Sequence, residues 1–480
     1  MRRLFFAFLA CVWLVADSTG ANPAIETRAV WLTTNFGLDW SAAGLSVDSR
    51  KAQLRDMLDK LCDANFNTVL FQVRIRGDVL YRSNIEPLSP YAGRGFDPLQ
   101  FAIDECHRRG MECHAWFVTY PVGNKRQVAE HGQTSVVRLR PDICKFFGSE
   151  WYLDPGNPAT RRYILSLIDE IVQNYDIDGL HLDYIRYPDR PAHFPDNDAY
   201  RRYGGGMSLA DWRRNNVNML VAEIYDAVKK QKPWVQVSSA PVGKYRSLND
   251  GRNGWTAYES VYQDAGYWMR AGKHDALYPM MYYRGADFEP FLRDWKQNSN
   301  NRLLIPGLGV YQLLPQEKNW SAGDITGQID NTRRNGIKGQ AYFRAGIITA
   351  NTKGIDAIIR QRYYRYPAKL PPMTWLDNIA PNSPTDLEVF LNNRGKLCLR
   401  WKPDNSSEAQ TYTVYCSTEE NVDTNAPDNI LATGIHAHHI ELDMTYGDFG
   451  FYYSVSASDR FHNESVPCFP AYFAHTRLAK

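Results

Sequence analysis

Asp183 is the residue whose position most needs a reason. It lies in the run Asp178-Gly179-Leu180-His181-Leu182-Asp183-Tyr184-Ile185-Arg186, at the end of a stretch in which leucine alternates with polar side chains. A period of two puts Leu180 and Leu182 on one face of a strand and turns His181 and Asp183 to the other. A carboxylate there needs a cationic or hydrogen-bonding partner, and His181, Arg186 and Arg74 are the candidates. Asp183 is then either half of a buried ion pair or a nucleophile or acid/base group, and the chemistry it suits is glycoside cleavage. That chemistry ordinarily takes two carboxyl groups, one on each side of the scissile bond. Asp287, the first acid beyond the segment 276–282, is the first choice for the second; Asp78 and Glu86, in the loop after 67–74, follow. Each of these also reads as a plain loop hydrogen-bonder.

The same alternation finds companions. In 112–119, Cys113, Ala115 and Phe117 share one face, leaving His114 and Trp116 to point inward. In 67–74, Val69, Phe71 and Val73 face out, with Gln72 and Arg74 inward, and Tyr282 points inward from 276–282. Trp151, in Glu150-Trp151-Tyr152, closes a long stretch, 121–155, and offers either a flat face to a sugar ring or packing against a rim. Asp154, in Leu153-Asp154-Pro155-Gly156, reads as a turn residue. Asp189, His193, Asp196 and Asp198 lie close together, but their spacing matches no EF-hand pattern, so neither metal nor cofactor is expected.

Such residues converge only if the chain brings the ends of several strands together. Strand signals occur at 28–34, 67–74, 112–119, 179–185, 235–241, 276–282, 303–310 and 339–344. Helical stripes lie between them: Leu54, Met57, Leu58 and Leu61 follow i, i+3, i+4, i+7, and Ile164, Ile168 and Ile171 a related pattern. Asp97-Pro98 and Asn157-Pro158 are helix starts; Gly110, Gly272 and Gly336 are helix stops. Eight βα units make a (β/α)8 TIM barrel, with its chemistry at the carboxyl ends of the strands. A doubly wound sheet is the alternative, but no glycine-rich phosphate loop follows the first strand.

Pro367, Pro371, Pro372, Pro381 and Pro384 punctuate a change of character. Beyond it come short alternating strands such as Leu397-Cys398-Leu399-Arg400-Trp401 and Tyr452-Tyr453-Ser454-Val455-Ser456-Ala457, the pattern of a small all-β sandwich. The order Pro-x-x-Leu, Leu-x-Trp, Tyr-x-Val-Tyr and Tyr-Tyr-x-Val-x-Ala-x-Asp resembles an immunoglobulin-like fibronectin type III domain. The expected division is a signal peptide at 1–21, the catalytic barrel at 22–370, a linker at 371–379 and the sandwich at 380–480.

Composition bounds the partners. Across 480 residues, 55 Lys+Arg against 53 Asp+Glu leave a net charge of +2 and no basic stripe, which argues against nucleic acid. Met1-Arg2-Arg3 followed by the apolar run Leu4 to Ala16 reads as a secretory leader cut after Gly20 or Ala21. Cys11 lies in that run behind Phe8-Leu9-Ala10, a poor box for lipid attachment. No later apolar run reaches the roughly 18 residues of a membrane span, so a secreted, periplasmic or cell-envelope protein is expected. Removing the leader leaves seven of the eight cysteines, read as mostly buried thiols with at most a disulfide or two. Aromatic residues make up 13% of the chain, suited to cores and to sugar rings alike. The sequence carries no signal of oligomeric state.

Residues from about 26 to 367 resemble the glycosyl-hydrolase-like family 10 barrel. The likeness rests on Glu26-Thr27-Arg28-Ala29-Val30-Trp31-Leu32, Phe71-Gln72-Val73-Arg74 with Gly77-Asp78-Val79-Leu80-Tyr81, and Glu86-Pro87. Phe96-Asp97-Pro98-Leu99, His114-Ala115-Trp116-Phe117, Leu153-Asp154-Pro155-Gly156-Asn157-Pro158 and the Asp183 run complete it, all in order. The resemblance implies a bacterial, exported or lipid-anchored protein acting on a polysaccharide. Some members are similar to enzymes that cleave peptidoglycan glycan strands lacking stem peptides. The chain also departs from the family. Tyr184 follows Asp183 where members usually carry a second acid, Phe117-Val118-Thr119-Tyr120-Pro121 replaces an aromatic followed by Asn-Pro, and Pro279-Met280 replaces Pro-Gln. These departures keep a second expectation alive, a glycan-binding barrel that has lost its second acid and hydrolyses nothing.

Overall fold

The computed structural model describes residues 22–42, 44–404, 409–442 and 450–474, so the expected leader and Cys11 lie outside the described residues. The first body is a ring of parallel strands: β1 (Thr27–Leu32), β2 (Thr68–Arg74), β3 (Glu112–Val118), β4 (Gly179–Asp183), β5 (Gln236–Ser239), β6 (Ala276–Leu277), β7 (Leu303–Leu304, resuming at Gly307–Leu308) and β8 (Gly339–Phe343). The ring closes through β7. Its first piece pairs with β6 (Leu303 opposite Ala276) and its second with β8 (Gly307 opposite Ala341). Pro306 lies between the pieces. It has no N–H to give, but its carbonyl accepts the Ala341 N–H at 3.0 Å.

Helices form the outer layer because their ends are capped and their stripes are apolar. Ser46 accepts the Ser49 N–H to start Val47–Asp63, whose Leu54, Met57, Leu58 and Leu61 are buried. Asp97 and Asn157 cap Pro98–His107 and Pro158–Asn174, each with proline in the first turn. Between strands and helices pack Val69, Phe71, Val73, Cys113, Ala115, Phe117, Leu180 and Leu182. Inside the ring sit Ala29, Trp31, Leu70, Trp116, Ala240, Tyr278, Ile305 and Ala341. The alternation read from β2, β3 and β4 thus assigns those apolar faces correctly.

Between β3 and β4 the chain builds a three-stranded antiparallel sheet from Pro121–Asn124, Cys144–Phe147 and Glu150–Leu153, the last in the centre. After the barrel come two more antiparallel sheets. Thr385–Leu391, Leu397–Lys402 and His439–Leu442 form one; Ile430–Ile435, Thr411–Ser417, Gly450–Ser458 and Ala471–Ala474 form the other. They enclose Leu399, Trp401, Tyr412, Val414, Val455 and Ala457 as a sandwich core.

The sandwich sits on the floor of the barrel, at the amino ends of the strands. Glu112 accepts a hydrogen bond from His462 at 2.6 Å, Arg460 pairs with Asp176 at 2.8 Å, and Lys369 with Glu464 at 2.7 Å. The connecting segment is docked too: the Met373 N–H donates to the Phe461 carbonyl at 2.8 Å, and the Trp375 indole donates to Asp275 at 2.9 Å. The seven cysteines of the described residues are all free thiols. Among those residues no helix is long and apolar enough to cross a membrane.

Candidate active site at the carboxyl ends of the strands

Asp183 is the last residue of β4 and only 6% exposed. Its Oδ2 accepts the Trp116 indole N–H at 3.1 Å, and its Oδ1 accepts the Tyr184 N–H at 2.7 Å. Burial pushes its pKa up. The Tyr184 N–H, Arg186, Trp116 and Arg76 pull the other way without cancelling it, so the carboxyl holds its proton to higher pH than an ordinary aspartic acid. Tyr184 has φ +48°, in the left-handed region that a bulky residue rarely enters. Its ring lies against two guanidinium groups, Arg186 at 4.7 Å and Arg76 at 5.7 Å.

Aromatic rings line the space beside the acid. Phe343, at the end of β8, stacks on Tyr282 at 5.6 Å, meets Tyr311 edge-on at 5.6 Å and lies 6.4 Å from Trp116. Burial first, and the charge of Asp183 second, push the Tyr282 phenol well up, which places that ring within electrostatic reach of the acid. A carboxyl with a raised pKa, flanked by flat apolar faces and phenol tips, is equipped to bind a sugar ring and protonate a glycosidic oxygen.

Of the residues expected at the site, Asp183, Trp116, Arg186 and Tyr282 come together, Arg74, Glu86, His114, His181 and Trp151 serve elsewhere, and Asp78 and Asp287 are bonded to other groups. Arg74 is turned away by a bulge: Gln72 faces Trp116 in the ladder, but Arg74 faces Phe117, so two steps of β2 match one of β3. The bulge moves Arg74 to the outer face, over the Phe117 ring at 5.2 Å. There it pairs with Glu86 through two bonds of 2.7 and 2.8 Å, both side chains 0% exposed, and also donates to the carbonyls of Val118 and Thr119. Arg74 and Glu86 therefore hold the start of the inserted sheet and do not face the site.

His114 points inward but one layer too low. It lies across Gly179, buried, and bonds to Glu112 at 2.9 Å. His181 fills the middle of the barrel. It accepts the Trp31 indole at 3.0 Å on Nε2, so Nδ1 carries the proton and donates to Ser238 at 2.9 Å. Burial pulls its pKa well down and keeps it neutral.

Asp287 stands before the helix Phe288–Asn298, held by Lys244 at 2.7 Å and Arg252 at 3.6 Å. Asp78 is buried, accepting the Arg76 N–H at 3.3 Å with His131 at 3.6 Å. Neither appears among the hydrogen-bonding partners of Asp183. Trp151 packs edge-on against Phe146 at 5.3 Å within the inserted sheet. Asp154 does act as a turn residue, accepting the Gly156 N–H at 2.9 Å.

Arg76, Tyr184, Tyr311 and Phe343 were not anticipated. Phe343 was accessible from alternation, since Ala341 and Phe343 share the inner face of β8. Arg76, Tyr184 and Tyr311 follow the strand ends, where periodicity stops informing.

Comparison with known proteins agrees with this architecture. A family model described as Glycosyl hydrolase-like 10 matches residues 26–322. The glycosyl hydrolase YngK of Bacillus subtilis is 32% identical over 473 residues, covering 92% of each chain. The glycosyl hydrolase DigH of Escherichia coli is 34% identical over 383 residues, covering 69% of this chain and 87% of its own. Among solved structures, the glycoside hydrolase domain of PgaB from Bordetella bronchiseptica superposes with TM-score 0.51 at 15% identity, over 71% of this chain and 99% of that one, which speaks for the fold alone. A closed eight-strand barrel, an acid ending its fourth strand and a match across most of that barrel make this chain a member of the glycosyl hydrolase-like 10 family.

Proposed function

We propose that this protein is an exported glycoside hydrolase whose proton donor is Asp183, acting on a bacterial polysaccharide, namely peptidoglycan glycan strands without stem peptides. The observation that carries the reading is Asp183 itself, a buried carboxyl with a raised pKa among Trp116, Tyr282 and Phe343 at the active end of a barrel. Asp287 takes the second carboxyl role in this reading. A base or nucleophile must be met by water or by the glycosyl intermediate, and the Asp287 side chain is 39% exposed whereas that of Asp78 is 9%. The leader at 1–21 supplies the export.

The second reading, a glycan-binding barrel without hydrolysis, draws on the cations beside Asp183, since Arg76 and Arg186 stand there and no acid among the described residues is bonded to it. The test is incubation of the full chain with peptide-free peptidoglycan strands, alongside Asp183→Asn and Asp287→Asn. New reducing ends from the parent, falling at least about 10²-fold in Asp183→Asn, support hydrolysis. Retention on the glycan with no product from any form leaves the binding reading in its place.

A further inference from the structure

The mouth of the site is rich in cationic donors. Arg186 lies three residues beyond Asp183 and is 4% exposed. Its guanidinium is held between two rings, Tyr184 at 4.7 Å and Trp255 at 5.1 Å. One of its nitrogens is committed to the Tyr187 carbonyl at 3.1 Å and to Asp189 at 2.9 Å, while its Nε is buried with no hydrogen-bond partner among the described residues. Against the same Tyr184 ring, Arg76 gives one bond to the Ile75 carbonyl at 3.1 Å, and Glu150, the acid paired with it, stands at 4.0 Å, too far for a hydrogen bond. Both cations act on Asp183. Asp189 and Glu150, the acids opposing them, are 68% and 28% exposed and can move aside into water.

A buried guanidinium N–H without an acceptor is costly, and stacking leaves its edge as the face that must be satisfied. That unmet N–H on Arg186, with the Arg76 guanidinium against the same Tyr184 ring, matches a planar anion better than a neutral hydroxyl. We infer that Arg76 and Arg186 form a subsite for a carboxylate carried by the sugar next to the scissile bond, so that the substrate is an acidic glycan. The inference rests on the glycosidase reading for its substrate and extends it. In peptidoglycan the lactyl carboxyl of the muramic sugar is amide-bonded to the stem peptide and becomes a free carboxylate only when the peptide is removed. A carboxylate subsite would therefore select stripped strands by charge, where peptide-bearing strands present a neutral amide.

The test uses the full chain carrying Asp183→Asn, so that binding is read without turnover. The probes are a peptide-free tetrasaccharide of alternating N-acetylglucosamine and N-acetylmuramic acid, its methyl ester, and a tetramer of N-acetylglucosamine. The acid should bind about tenfold or more tighter than its ester or the neutral tetramer. Added salt should narrow that preference. Arg76→Gln and Arg186→Gln, each confirmed folded by a cooperative thermal transition, should shrink it to less than about threefold. Because Arg186 is buried and its variant can fail to fold, Arg76→Gln, at a 16% exposed side chain, is the decisive form. Equal binding of acid and ester, no binding of the acid, or a preference that survives Arg76→Gln overturns the subsite. Parallel digestion with the unsubstituted chain separates the two ideas. Selective binding of the acid without product sinks the hydrolase and keeps the subsite, and equal cleavage of acid and neutral strands does the reverse.

Discussion

Trp116 gives its indole N–H to Asp183, and that bond favours the charged carboxylate against the burial that opposes it. Trp116→Phe keeps a ring in place and removes the donor, so the pKa of Asp183 should rise further. A proton donor works while protonated; the alkaline limb of the pH–rate profile should accordingly move to higher pH in this variant, and a move to lower pH would remove Asp183 from that role. Arg74→Gln acts elsewhere. It strands the Glu86 carboxylate in a dry site and should cost about 3–5 kcal/mol in a denaturant melt. Alternation was enough to find Asp183 and Trp116, because each follows an unbroken run of two-residue steps. It misplaced Arg74 because one bulge at the end of β2 reverses every face beyond it, and nothing in Phe71-Gln72-Val73-Arg74 announces the extra residue.

β4 depends on a missing side chain at its start. A Cβ on Gly179 would stand 2.4 Å from the His114 ring, inside the barrel where nothing can retreat. Gly179→Ala should therefore lower stability by about 1–3 kcal/mol, visible as a reduced melting temperature. A melting temperature unchanged from the parent would mean that His114 has room to turn. The elements of the barrel were legible because their signals are local: a cap such as Asn157, a stripe such as Ile164, Ile168 and Ile171, a run of alternating leucines. The inserted sheet after β3 was not, since its strands are four residues each and carry no period long enough to read. The break in β7 is set by Pro306, whose effect on pairing appears only once both neighbours are known.

Titratable pairs lie at the junction of the two bodies: His462 of the sandwich bonds Glu112 of the barrel, and His107 bonds Asp178 on the barrel floor. Burial opposes a charge on His462, but Glu112 outweighs it and holds the imidazole up to about 8; beside it, Asp178 overcomes burial to hold His107 up to about 9. Raised imidazoles stabilise the folded form fully below their unfolded value of about 6.5, and that support fades as pH climbs through the folded values. The full chain should thus lose thermal stability between about pH 6.5 and 9, and His462→Gln should flatten the lower part of that fall. A slope identical in both forms would remove His462 from the effect. A chain ending near Pro372 loses the Trp375 bond to Asp275, so it should melt lower than one ending after Asp377, although both contain the whole barrel. The division into barrel and sandwich was readable from proline spacing and strand length, whereas the docking of the connector depends on side chains that meet only in the folded molecule. At Gly110 and Gly434 the barrel floor and the sandwich touch backbone to backbone, with no space for a Cβ on either. Seven residues of β2 separate that floor from the mouth, roughly 20 Å of rigid wall. The sandwich is consequently a pedestal: a ligand held on its far face would lie behind the barrel, on the side away from Asp183, and could not reach that carboxyl without leaving the face that held it.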